Sequence, residues 1–175
     1  TQTEINPLKD KEILDVELIL KDLETVNKRI QGLEGDVRAG KKGAEKEMQV
    51  LLDQYPDHAQ RPRIEFYLAL SIAMQARFDE SIKLFRSWMA KYPNDSTLPE
   101  VEYWLPISMF YNGQYKEALP LFNDYLAKYE MTIYAPEAEY RAALCKYSLE
   151  DFEGCGKDLR IWLAKFPEHS FKWEG

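Results

Sequence analysis

Residues 99–129, PEVEYWLPISMFYNGQYKEALPLFNDYLAKY, read as two amphipathic helices joined at Gly113. Pro99 suits a first helical turn, where its fixed φ and missing N–H cost little. In the second half, Ala118, Phe122 and Tyr125 stand four and three apart, which puts a small residue and two rings on one face. The small residue lets two antiparallel helices approach, and the rings fill the gap that widens beyond it.

The same frame recurs outward at intervals of 37 residues. Pro62, Pro99 and Pro136 share it, as do Glu65, Glu102 and Glu139. So do Phe66, Tyr103 and Tyr140, then Phe78, Tyr115 and Phe152, then Trp88, Tyr125 and Trp162, then Lys91, Lys128 and Lys165. Tyr55-Pro56, Tyr92-Pro93, Tyr129-Glu130 and Phe166-Pro167 punctuate it. Ladders in one register identify a repeat protein, expected to be all-α and to form an α-α superhelix. Leu68 and Ile72 are expected on the buried stripe of one first helix, facing Ser81, Phe85 and Trp88. Pro106, deep in its helix, should bend or widen it, whereas Pro120 should cost less.

On these residues, 62 to 167 resemble three tetratricopeptide repeats (TPRs). Ala118, Phe122, Pro93 and Pro167 occupy the Ala, Phe and Pro positions of that pattern, with Ser81 and Cys155 as the small residue elsewhere. The departures are Pro106 between Ala69 and Ala143 at the small position of the first helix, and Glu130 in place of a terminal proline. The repeat is also longer than the usual 34 residues. That long-turn form is similar to bacterial cell-envelope TPR proteins of the CpoB and BamD families, which implies an envelope rather than a cytoplasmic location.

Ahead of the repeats, Val16, Ile19, Leu23, Val26, Ile30, Leu33 and Val37 trace a heptad seam. Gly40 permits a reversal, and Ala44, Met48, Leu51 and Pro56 return in the repeat frame. The expected organisation is a helical hairpin over 1–54, followed by three repeats over 55–175. The tracts Pro7-Leu8-Lys9-Asp10, Glu17-Leu18-Ile19-Leu20 and Asp22-Leu23-Glu24-Thr25-Val26 resemble the coiled-coil hairpin of the YchF (Obg-like ATPase) family. This resemblance implies a fusion in which the hairpin caps the repeats, or an accessory module of a nucleotide-dependent enzyme. The corner GDVRAGKKG, residues 35–43, stands one residue short of a phosphate-binding G-x-x-x-x-G-K-[ST] loop. It follows a helix rather than a strand, and Lys42 stands where a metal-binding hydroxyl belongs, so a helical corner is expected.

The 175 residues, 45% hydrophobic and 30% charged, suit a folded array. A formal charge of −7 argues against nucleic-acid or anionic-membrane partners, and no apolar run is long enough to cross a bilayer. The chain begins at Thr1 and stops where a further repeat would open with Phe171 and Trp173. It is therefore expected to be part of a longer array, able to self-associate through an open end. Cys145 and Cys155 are expected to be buried thiols, and His58 and His169 to serve solvated turns at one repeat position. The Glu65, Glu102 and Glu139 ladder should be spaced too widely for paired-carboxylate chemistry. No catalytic, metal or cofactor set emerges, and the chain is read as non-enzymatic.

In TPR superhelices the first helix of each repeat lines the concave groove. The resemblance therefore implies a lining of Phe66, Leu70, Ala73 and Met74, then Tyr103, Ile107, Phe110 and Tyr111, then Tyr140, Leu144, Tyr147 and Ser148. About half of these rings are expected to serve the inter-repeat core instead. Glu100 and Glu137 give the groove an acidic edge, and the Lys/Arg/Asn clamp of chaperone-tail binders is missing. A protein or peptide partner with apolar anchors and basic flanks is the expected ligand.

Overall fold

The computed structural model describes residues 24–41 and 43–173, with side chains as far as Phe171. Among these, every regular element is helical. Helix α1 covers 24–38. It is followed by α2 (Ala44–Gln54), α3 (Arg61–Met74), α4 (Phe78–Lys91), α5 (Leu98–Tyr111), α6 (Tyr115–Lys128), α7 (Ala135–Ser148) and α8 (Phe152–Lys165). A 3₁₀ turn, Ser170–Trp173, closes the described chain.

Pro62, Pro99 and Pro136 stand at the second residue of α3, α5 and α7, where no N–H partner is required. Each of these helices then ends the same way. Arg77, Gln114 and Asp151 donate their N–H groups to the carbonyls of Ile72, Met109 and Lys146, five residues back. That closure needs a left-handed residue just before it, and Ala76 (φ 59°), Gly113 (φ 75°) and Glu150 (φ 66°) supply it. Lys41 closes α1 on Asp36 through Gly40 (φ 65°) in the same manner.

The longer turns between repeats have a device of their own. His58 Nδ1, Asp95 Oδ1 and His169 Nδ1 accept the N–H two residues on, at 3.1, 2.8 and 3.3 Å. Both histidines are thus occupied in holding turns. Thr132, at the matching position of the third turn, hydrogen-bonds Tyr125 Oη at 2.8 Å.

Packing follows the small-residue rule. Ala44, Ser81, Ala118 and Cys155 are all buried, and Phe85, Phe122, Trp88, Tyr125 and Trp162 fill the space beyond them. The Trp88 and Trp162 indoles donate to the carbonyls of Pro62 and Pro136 at 2.6 Å, pinning the end of each second helix to the start of its own first helix. Lys91, Lys128 and Lys165 pair with Glu65, Glu102 and Glu139 at 2.5 to 2.7 Å across the same gap. The glutamate ladder is therefore a set of intra-repeat ion pairs. With each lysine about half exposed, each pair is worth at most about 1 kcal/mol.

One core runs through the array, from Val26, Ile30, Leu33 and Val37 of α1 to Cys145 of α7. The first part of the seam (Val16, Ile19 and Leu23), and with it most of the tracts resembling the YchF hairpin, lies outside the described residues. Helix α5 continues as one helix through the buried Pro106, and Pro120 sits exposed in α6. Ile72 is buried as expected, but Leu68 is only half-buried. Its counterparts Leu105 and Ala142 are covered, whereas α2 begins too late in the frame to cover Leu68.

The left-handed position generates a direct test. Nothing lies within 4 Å of a Cβ added at Gly113, so Gly113→Ala should cost about 1 kcal/mol from backbone strain alone. Ala76→Gly and Glu150→Gly should each stabilise by about 0.5–1 kcal/mol, because relief of strain exceeds the added unfolded-state entropy. Urea titration followed by circular dichroism reads both, and a stabilised Gly113→Ala would refute the account.

Candidate functional site

The first helices form the inner layer. Helix α3 touches α5 and α5 touches α7, whereas the second helices make no comparable contact with one another. Layers on the inside of a curve lie closer, so the faces of α3, α5 and α7 line the concave side.

The expected groove residues divide by depth. Phe66, Leu70, Tyr103, Ile107 and Tyr140 are buried between helices, and Ala73 nearly so. Phe110 and Leu144 are half-buried, and Ser148 is exposed. Met74, Tyr111 and Tyr147 are 44%, 51% and 60% exposed and present the surface. Tyr103 shows what holds the deep rings: it stacks on Tyr134 at 4.4 Å and also meets Trp104 and Tyr125. Burial, reinforced by the neighbouring Glu137 carboxylate, raises its phenol far above the ordinary range.

A further line of the frame, Tyr67, Trp104 and Arg141, also faces this side. Its signal lay in the sequence, one residue beyond the Phe66, Tyr103 and Tyr140 ladder, but Arg141 breaks the aromatic pattern of the other two and no ladder is visible. Tyr67 Oη accepts from Arg38 at 2.9 Å, and Arg38 reaches Glu100 at 3.7 Å. Arg63 makes a two-pronged pair with Glu34. The Arg141 guanidinium lies among Phe110, Tyr111, Tyr140 and Phe171 at 5.2 to 5.6 Å from the ring centres, with Glu137 at 3.3 Å. Both carboxylates of the expected acidic edge are therefore already paired with arginines.

Between these residues lies a cleft of about 320 Å³, lined chiefly by Ala73, Met74, Phe78, Trp104 and Tyr111, with Glu137 at one end. Phe78 and Tyr111 stack at 5.7 Å as one wall. Its size and character fit one or two apolar side chains. No cluster of three potential metal-ligating side chains occurs among the described residues. At the hairpin corner, Lys41 binds Asp36 at 2.6 Å. The corner is a helix-to-helix turn with no strand beside it among the described residues.

Neither a family model nor a curated protein sequence matches the chain. Solved structures do. The structure of the MamA RS-1 ArsTM double mutant superposes with a TM-score of 0.65 at 17% identity, covering 84% of this chain and 76% of its own. Two crystal structures of a Podosopora anserina putative kinesin light chain with nearly identical TPR-like repeats give 0.59 at 16% identity. Each covers 92% of this chain, and 91% or 92% of its own. The fold is that of a TPR-type solenoid.

The buried acids set a pH limit. Burial pushes the Cys145 thiol up to about 12 and, with the help of Glu102, the Tyr129 phenol up to about 12. Burial also raises Tyr67, Tyr125 and Tyr134. A raised acid stabilises the fold fully below its unfolded-state value, about 8.5 for a thiol and about 10 for a phenol, and this is lost as pH climbs through the folded value. The thermal midpoint should therefore fall between about pH 9 and 12. Native Cys145 should resist alkylation at mildly alkaline pH and react once the protein is denatured. A flat midpoint or a reactive native thiol would contradict this.

Proposed function

We propose that the chain is a non-catalytic scaffold that captures a protein segment on its concave face. The observation that carries this reading is the cleft walled by Met74, Phe78, Trp104 and Tyr111, an apolar recess on the inner layer of a TPR-type solenoid. Aromatic anchors held by rigid helices lose little side-chain entropy on binding and bury large area, the usual makeup of a binding hot spot. The preferred segment presents apolar anchors, extended or as one face of a helix. Glu100 and Glu137 are engaged by Arg38 and Arg141, so basic flanks on the partner would have to compete with internal pairs. The likeness of the long-turn repeat to cell-envelope TPR families favours a location at the bacterial envelope.

The depth of each ring decides how to test this. Alanine at Tyr103 or Phe66 would open the core and confound binding with unfolding, at about 3–5 kcal/mol for a buried ring. Tyr111 and Met74 can be truncated at small structural cost. A peptide library displayed on phage and panned against the full chain should enrich segments with apolar anchors. The enriched peptides should bind the Tyr111→Ala/Met74→Ala variant at least about tenfold more weakly. Equal binding to parent and variant would move the site off the groove.

A further inference from the structure

The later second helices begin three residues ahead of their small residue, and each opens on a ring: Phe78, Tyr115 and Phe152. Those rings meet Tyr111, Phe110 and Tyr147 at 5.3 to 5.7 Å. Helix α2 lacks that turn and begins at its small residue, Ala44. Gly40 and Gly43, both left-handed, carry the chain around the corner instead. Where the frame calls for a ring, the sequence has Lys41-Lys42. The consequence is an open cleft of about 710 Å³ lined by Val37, Leu68, Ile72, Met74 and Leu84, with Lys41 and the Arg77-paired Glu45 and Glu80 in its polar lining. Lys46 also belongs to this lining and has no ion-pair partner among the described residues.

The opposite edge of the array, where the inter-repeat turns lie, carries a matching projection. Met131 and Ile133 in the α6–α7 turn are 95% and 85% exposed. Their counterparts in the other turns are Asp57 and Ala59, Asn94 and Ser96, and Glu168 and Ser170, none of them large and apolar. Between them, Thr132 bonds the Tyr129 carbonyl and Tyr125 Oη, so the tip is held in shape before it meets anything. Glu130 is exposed beside it.

We propose that the Met131–Ile133 tip of one copy of this chain seats in the α2–α4 cleft of a second copy, with Glu130 against Lys46. Three features of one molecule point to a second copy as the occupant: a projecting apolar pair and a recessed apolar floor, an acidic flank and a lysine with no ion pair among the described residues, and their placement at opposite edges of the array. The contact is heterologous, so it propagates into a ring or a filament rather than closing as a two-fold dimer. It is small, so the association is weak. Met74 lines both clefts, but the proposal does not rest on the peptide-groove reading, because neither the tip nor Lys46 lines that groove.

Sedimentation velocity of the full chain over a concentration series tests it. The sedimentation coefficient of the parent should rise with concentration. Met131→Asp/Ile133→Asp, at exposed sites that leave helical circular dichroism unchanged, should remain monomeric throughout. Lys46→Glu should weaken association about fivefold or more, and adding Glu130→Lys to Lys46→Glu should restore it. A parent that stays monomeric at every concentration, a tip variant that associates like the parent, or a charge exchange that fails to restore association would each overturn the proposal.

Discussion

The close approach of helices at Ala44, Ser81, Ala118 and Cys155 is the contact on which the architecture depends. A single small side chain at each crossing brings two backbones together, and the geometry then leaves a wedge that only large side chains can fill. Phe85 and Trp88, Phe122 and Tyr125, and Trp162 are that filling. The indole bonds to Pro62 and Pro136 fix the wedge at its wide end, where the partly exposed lysine–glutamate pairs add little. Because every pair uses the same spacing, successive pairs stack with a constant offset. The inner face then becomes a continuous surface instead of four separate ones.

That constant offset also explains how the concave face divides its residues. The ring three residues ahead of the first helix's small position points between helices and becomes core, as Phe66, Tyr103 and Tyr140 do. Residues near the end of each first helix, such as Met74 and Tyr111, emerge at the surface. Arg38 and Arg141 then thread the polar remainder, neutralising Glu100 and Glu137 and capping exposed ring faces. The groove therefore offers apolar shape more than free charge.

Much of this was legible in the sequence because periodicity is a property of spacing, and spacing survives changes of residue type. The two-helix unit, the turns held by His58 and His169, the buried thiols and the helical corner at Gly40 all follow from position in the 37-residue frame. Depth within the groove did not follow from it, because neighbouring positions of one helix face differ in burial by the width of the next helix, which a one-dimensional ladder does not encode. Tyr67, Trp104 and Arg141 were invisible for the opposite reason: they share a place, but Arg141 breaks the aromatic pattern of the other two. Leu68 went astray because its cover depends on where another helix begins.

Helix α8 buries fully only Cys155 and Trp162, and Ile161 and Leu163 stand in solvent. In a solenoid each pair is stabilised by its own fold and by its neighbours' faces, so a pair with one covered face holds less free energy than a pair with two. Amide hydrogens should then exchange along a gradient, fastest in α8 and slowest in α5 and α6. A pair covered on one face then opens ahead of its neighbours, at a lower local free energy than unfolding of the whole.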